Sequence, residues 1–284
     1  MPSGGRVWRC GGLTLPLDRP LVMGILNVTP DSFSDGGRYT TPDAAFERAE
    51  QLVREGADIL DIGGCSTRPG AEEVSVEEEK KRIVPVVRRI AGAMRIPLSV
   101  DTFRAEVADA ALTSGAHIVN DVLPFAGDDA MAEVVARHGA GLVVMHSRGT
   151  PRTMDGLTGY TDLAGEVGQT LRDALAFAVE RGIPRDAVVI DPGFGFAKTT
   201  EQNLCLLRKL KGFARFAPVL AGVSRKRFIG EVCKAAEPSE RDPGSFACAL
   251  WAAQEGASVL RVHDVKGTCQ VLRMWEALCL KTSG

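Results

Sequence analysis

The sequence predicts an α/β fold, a closed (β/α)8 barrel of the TIM type, on three observations. Eight short apolar runs recur along the chain, a helix-patterned segment follows each, and glycine closes many of those segments just before the next run. The 284 residues suit one barrel, and no break in composition divides them, so residues 1–284 are read as a single domain.

The runs are VMGILNV (22–28), ADILDIG (57–63), IPLSVD (96–101), HIVND (117–121), GLVVMH (141–146), AVVIDPG (187–193), PVLAGVS (218–224) and SVLRVHD (258–264). They are continuous and rich in Val, Ile and Leu, as parallel strands covered on both faces should be. The helical segments are 42–57, 76–94, 103–114, 129–138, 162–181, 200–211, 244–255 and 266–281. In the first, Ala45, Phe46, Ala49, Leu52 and Val53 fall on one face. The second runs from acidic to basic, which complements a helix dipole, and its Pro85 predicts a kink or a break. Gly56, Gly115, Gly139, Gly182 and Gly256 stand where helices end, the usual place for a glycine C-cap. Residues 1–20 hold RVWRC and LTLPL around Gly11-Gly12 and predict a hairpin capping the barrel floor. The competing architecture is a doubly wound open sheet.

Hydrophobic residues make up 45% and charged residues 25% at a net charge of −2, a balance that points to neither nucleic acid nor an anionic membrane. No stretch approaches the ~18 apolar residues of a membrane span. The opening MPSGGRVWRC has no apolar core of a secretory signal. Seven scattered cysteines, an odd number with no CxxC pair, fit free thiols in a reducing cytoplasm.

Each run ends in a residue able to do chemistry: Asn27, Asp61, Asp101, Asn120 with Asp121, His146, Asp191, Ser224 before Arg225 and Lys226, and finally Arg261 and His263. In a barrel the C-terminal strand ends converge at one mouth, where active sites sit. Residues two apart share a face, so Arg261 and His263 point together while Leu260 and Val262 face the helices. Gly222 and Ser224 share a face, as does Lys226 if that strand continues. Two loops above the mouth, NVTPDSFSDGGRY (27–39) and GGCSTRPGAEEVS (63–75), are rich in Gly, Pro and Ser and suited to closing over a ligand. Thr67 beside Arg68 suits an oxyanion.

Taken singly, these residues have ordinary structural readings. Asp101-Thr102 serves as an N-cap, Asp191-Pro192-Gly193 as a turn, and 224–226 as a solvated surface run. His117, His138 and His146 are read as structural, and Phe194 and Phe196 as equally suited to packing or stacking. Arg261 and His263 resist dismissal, because two cationic groups on one face of a buried strand need anions or acceptors. There is no HExxH, no calcium-loop spacing, no GxSxG elbow and no dinucleotide fingerprint around Gly193-Phe194-Gly195.

GILNVTPDSFSDGG (24–37), DIGGCSTRPGAEEVS (61–75), SVDT (99–102), HIVND (117–121), VVMH (143–146), DPGFGF (191–196), SRK (224–226) and RVHDV (261–265) resemble, in this order, the dihydropteroate synthase family of pterin-binding enzymes. The resemblance implies a transferase of folate biosynthesis and a sulfonamide target. It would join 6-hydroxymethyl-7,8-dihydropterin pyrophosphate to p-aminobenzoate and release pyrophosphate. It further implies that Asp101, Asn120, Asp191 and Lys226, with Met145 and Gly222, bind the pterin. Asn27, Arg68, Arg261 and His263 would hold the pyrophosphate, with Mg2+ on Asn27. Phe33, Thr67, Pro69, Phe196, Ser224 and Lys226 would surround p-aminobenzoate. Asp101, Lys226, Arg261 and His263 are the residues the resemblance makes catalytic, and a homodimer through C-terminal helices is implied too. The sequence departs from the family pattern at Cys65, Leu123, Ser147-Arg148 and Ala197. Three rival functions stand beside it: a methyltetrahydrofolate-binding methyltransferase barrel, a non-catalytic pterin-binding paralogue, and an aldolase using Lys226 as a Schiff base.

Overall fold

The computed structural model describes residues 6–29, 42–65, 74–123, 130–150 and 152–279. The chain enters through an antiparallel hairpin, β1 (Val7–Cys10) and β2 (Leu13–Pro16), with Gly11 and Gly12 at its turn in left-handed conformations that favour glycine. Eight parallel strands follow: β3 (Leu21–Asn27), β4 (Ile59–Gly63), β5 (Leu98–Asp101), β6 (Ile118–Asp121), β7 (Gly141–Met145), β8 (Val188–Asp191), β9 (Leu220–Ala221) and β10 (Val259–Val262). Around them lie α1 (Pro42–Glu55), α2 (Val76–Ala93), α3 (Ala105–Thr113), α4 (Ala130–His138), α5 (Leu163–Glu180), α6 (Thr200–Arg208), α7 (Leu210–Ala214), α8 (Arg227–Cys233), α9 (Asp242–Gln254) and α10 (Val265–Cys279).

The strands pair in the order β8-β7-β6-β5-β4-β3-β10-β9. A parallel bridge from Ile190 to Val219 joins the two outer strands, so the ring closes and the open-sheet alternative falls. Outward residues such as Leu60, Ile62, Val100, Val144 and Ile190 pack against the helices in one continuous core. Inward residues Met23, Ile59, Ile118, Val143, Val189, Leu220 and Val259 form a separate plug with Trp8 and Cys10 of the hairpin. The expected cap on the barrel floor is therefore present. The Trp8 indole donates to the Ala187 carbonyl at 2.9 Å, and Gly141 leaves the room that Trp8 and Cys10 fill.

Three expectations need correction. Helix α2 runs through Pro85 without the break offered as one alternative, and Pro85 sits on its exposed side. The seventh strand is two residues long where the apolar run has seven, and the chain turns at Arg225 with φ 58°. A helix unforeseen in the sequence, α8, starts directly after that turn, and the segment read as one helix over 200–211 is two, α6 and α7.

Candidate functional site

Two residues beyond the plug, six of the eight strands turn polar, glycine or thioether on the inner face, whereas β3 places Ile25 there. Asp61 follows Ile59, Asn120 follows Ile118, Met145 follows Val143, Asp191 follows Val189, Gly222 follows Leu220 and Arg261 follows Val259. Neighbouring strands keep these side chains level, with Met145 paired to Asp191 and Asp101 to Asn120. One step further up stand Asn27, Gly63, Ser224 and His263.

Above this ring opens a cavity of about 700 Å³ lined by Asn27, Asp101, Gly222, Ser224, Lys226, Arg261 and His263, with Phe196 and Lys198 from the loop after β8. Asn120, Met145 and Asp191, on the three adjoining strands β6 to β8, do not line this opening; they are buried in the ring beside it. Phe33, Thr67, Arg68 and Pro69 lie outside the described residues.

Arg261 is the centre of the charge pattern. Its Nε donates to Asp61 at 2.6 Å and its Nη2 to Asp101 at 2.5 Å. Burial works against the guanidinium, but Asp61 and Asp101 outweigh it and hold its pKa above the ordinary value. Burial pushes the Asp101 carboxyl above the usual carboxylate range, and Arg261 pulls it back. Asp61 also accepts from the Asn120 amide at 3.2 Å, so Asn120 and Arg261 share one carboxylate. Asp191 spends one oxygen on the Gly193 N–H at 2.7 Å, and burial pushes it up to about 6.

Ser224 holds His263. The His263 N–H donates to the hydroxyl oxygen at 3.2 Å, and the hydroxyl lies 3.0 Å from Nδ1. When the hydroxyl donates to Nδ1, the ring proton stands on Nε2. Lys226 reaches the cavity by a route other than strand alternation. Arg225 turns the chain, anchored by its guanidinium on Asp242 at 2.7 and 2.8 Å and its N–H on Ser245. Lys226 then caps α8 and sets its ammonium 4.3 Å over the Phe196 ring.

Sequence reasoning missed two residues here. Asp61 was visible as a strand end, but nothing local ties it to Arg261, 200 residues away. Lys198 stands in a glycine-rich loop and gives no periodic signal, yet it is buried at 5% exposure. His146 faces outward and takes part in the Lys198 contact rather than the cavity, as a structural residue would. The departures from the family pattern are all accommodated. Ala197 adopts φ 49°, a left-handed conformation that suits glycine better. Arg148 stacks 3.8 Å over Tyr160 and pairs with Glu166, and the Leu123 N–H donates to Asp121. Cys65 lines the cavity edge.

Asn27 lines the cavity and its amide carries one oxygen donor, and among the described residues no group of three or more His, Cys, Asp or Glu gathers for a metal. One hard oxygen donor beside a buried arginine fits a cation that takes its remaining ligands from an anionic ligand and water. A fully protein-built metal cage does not fit.

Comparison with known proteins agrees with this geometry. Residues 23–263 match the family model described as pterin binding enzyme. The dihydropteroate synthase of Synechocystis sp. is 45% identical over 261 residues, 92% of this chain and 90% of that protein. The structure of the Xanthomonas albilineans dihydropteroate synthase with 4-aminobenzoic acid superposes at a TM-score of 0.91 and 46% identity, covering 97% of this chain and 99% of that one. The same enzyme in complex with 7,8-dihydropteroate gives a TM-score of 0.88 at 44% identity, over 96% and 99% of the two chains. The chain belongs to the pterin-binding enzyme family and, within it, to the dihydropteroate synthases.

Proposed function

We propose that this chain condenses 6-hydroxymethyl-7,8-dihydropterin pyrophosphate with p-aminobenzoate, giving 7,8-dihydropteroate and pyrophosphate. The observation that carries the reading is the set of strand ends that brings Asp101 against Arg261, with Asn120 and Asp191 at the ends of β6 and β8 and with His263 and Lys226 lining the cavity. A pterin edge is an amide fused to an aminopyrimidine. Asp101 and Asp191 accept from its amino and ring N–H groups, and Asn120 and Lys226 serve its remaining acceptors. Met145 and Gly222 supply the apolar wall and the room for the ring.

The pyrophosphate lies toward Arg261, His263 and Asn27, with Arg68 from the loop after β4. The C–O bond to the pyrophosphate breaks first, and its electron pair leaves with the phosphate, stabilised by the Arg261 guanidinium and the His263 N–H. A methylene cation delocalised into the dihydropterin ring remains. The amine of p-aminobenzoate, a weak nucleophile, then forms the C–N bond. Its anilinium proton is already acidic, so no general base is assigned. Mg2+ bound between Asn27 and the pyrophosphate would neutralise part of the leaving group's charge. Phe196 and Lys226 form one wall of the p-aminobenzoate site. Phe33, Thr67, Pro69 and the hydroxyl of Ser224 complete it when the loops close and exclude water.

A homodimer in the cytoplasm belongs to the same reading. Trp251 of α9 and Met274 and Leu278 of α10 are exposed apolar side chains, a surface suited to a second copy. Among the described residues no helix is long and apolar enough to cross a membrane.

The test is incubation with the dihydropterin pyrophosphate, p-aminobenzoate and Mg2+, following dihydropteroate and pyrophosphate together. Equal amounts of both are expected. Tight pterin binding without turnover would establish the non-catalytic paralogue instead, and corrinoid-dependent methyl transfer the methyltransferase.

A further inference from the structure

The loop from Gly193 to Ala197 carries Phe196 into the cavity, and its backbone is unusual. Gly193, Gly195 and Ala197 adopt φ of 73°, 79° and 49°. The turn closes through the Phe196 N–H, which donates to the Gly193 carbonyl at 3.2 Å. The ammonium of Lys198 sits against the same turn, 2.9 Å from the Gly193 carbonyl and 2.8 Å from the Phe196 carbonyl. Its third contact is Nδ1 of His146 at 3.0 Å. An ammonium has three protons, and all three have an acceptor here.

We propose that Lys198 is the positioning residue of this site, drawing the Gly193 and Phe196 carbonyls together so that the Phe196 ring is held against Lys226, where the aromatic amine substrate docks. The proposal rests on the synthase reading above. The energetics support it. Burial pushes Lys198 down to about 7, with Asp191 pulling the other way, so charge at this depth is costly and the acceptors offset it. Burial likewise pushes His146 down to about 3, which keeps its ring neutral and Nδ1 free to accept. The other contacts of the loop do not reach the Phe196 carbonyl. The Gly195 N–H donates to Asn203, and the Tyr160 hydroxyl donates to the Ala197 carbonyl.

The backbone of Asp191 is fixed by the sheet, where it pairs with Met145 and its carbonyl accepts from the His146 N–H at 2.9 Å; its carboxylate also accepts from the Gly193 N–H at 2.7 Å. Loss of Lys198 should therefore displace Phe196 far more than the Asp191 carboxylate. This predicts a separation of effects that a general loss of stability does not produce.

The experiment compares wild type, Lys198→Met and Lys198→Gln in the full reaction, at saturating dihydropterin pyrophosphate, with pterin affinity measured by calorimetry. For Lys198→Met the KM for p-aminobenzoate should rise about tenfold or more, the loss expected for hydrogen bonds from a charged donor. Pterin affinity should stay within about threefold, a change near thermal energy. Lys198→Gln, which keeps two donors, should lie between. A Lys198→Met protein that folds and keeps its KM for p-aminobenzoate overturns the proposal. So does an equal loss of pterin and p-aminobenzoate binding. If neither variant folds, Lys198 serves the whole fold rather than the loop, which also overturns it. Absence of product with wild type sinks the synthase reading, a different outcome from any of these.

Discussion

The carboxylate of Asp61 on β4 and the guanidinium of Arg261 on β10 meet across the barrel mouth at 2.6 Å, with β3 between their strands. Asp101 grips the same guanidinium from β5. Two carboxylates thus fix the plane of Arg261 before any substrate arrives. Its Nη1 makes no hydrogen bond among the described residues and is turned over to the cavity. In the proposed reaction, a cation held this way would be a preorganised partner for the charge on a departing pyrophosphate.

Asp61→Asn should expose the value of that preorganisation. Asparagine keeps the shape and loses the charge-assisted bond to Nε, worth about 1.5–3 kcal/mol. The expected result is a fall of about tenfold or more in kcat/KM for the dihydropterin pyrophosphate. The KM for p-aminobenzoate should change little. Steady-state kinetics with each substrate varied in turn decides the matter, and an unchanged kcat/KM would remove Asp61 from the site.

Arg261→Met should cost both binding and stability. Pyrophosphate-bearing ligands should weaken, whereas a pterin without pyrophosphate should be held nearly as before. The variant leaves Asp61 and Asp101 buried without their cation, a loss of about 3–5 kcal/mol by analogy with broken buried pairs. The sign of the pH dependence follows from Asp101. Its folded pKa is raised above the ordinary aspartate value by burial and rises further without Arg261, so the folded state binds more protons than the unfolded state above that value. The deficit should therefore be smallest in acid and grow as pH rises toward and beyond neutrality. Urea denaturation at an acidic and an alkaline pH measures it; a deficit independent of pH would mean the carboxyls do not carry the cost.

The barrel and its mouth were legible in the sequence because two simple periodicities encode them. Apolar runs bounded by helical patterns mark buried parallel strands, and the two-residue repeat places Arg261 above Val259 and Asp191 above Val189. What stayed hidden depends on contacts between distant segments. The Asp61–Arg261 pair is set by strand order around a closed ring, which no local pattern states. Lys226 reaches the site through the left-handed turn at Arg225 and its anchors Asp242 and Ser245, where strand alternation had been expected. Lys198 acts through backbone carbonyls, and a sequence names no carbonyls.

Asp191 should give pterin binding an acid limb. Burial pushes its carboxyl up to about 6. Protonation there turns an acceptor into a donor facing the donors of the pterin edge, so affinity should fall as pH drops through that value. A pterin lacking pyrophosphate is the ligand to use, because phosphate groups titrate nearby. Calorimetry from neutral to acidic pH should show the limb in wild type and its loss in Asp191→Asn, with weaker binding throughout. A limb that survives in Asp191→Asn must come from another group.

Trp8→Ala tests whether the floor and the mouth are separable. Trp8 is fully buried at the bottom of the barrel, where it packs with Ile59, Ile118, Val143 and Val189. Its indole also satisfies the Ala187 carbonyl at the start of β8. Truncation leaves a cavity that a closed ring of strands cannot collapse into, and buried aromatic truncations of this kind cost about 3–5 kcal/mol. The residues one layer higher are tied by bonds of their own: Arg261 to Asp61 and Asp101, and Asp191 to Gly193. Those bonds do not pass through Trp8. The variant should thus melt well below wild type yet keep kcat/KM within about twofold at a temperature where it is folded. A folded Trp8→Ala protein with activity down tenfold would mean that the apolar plug sets the geometry of the polar ring above it.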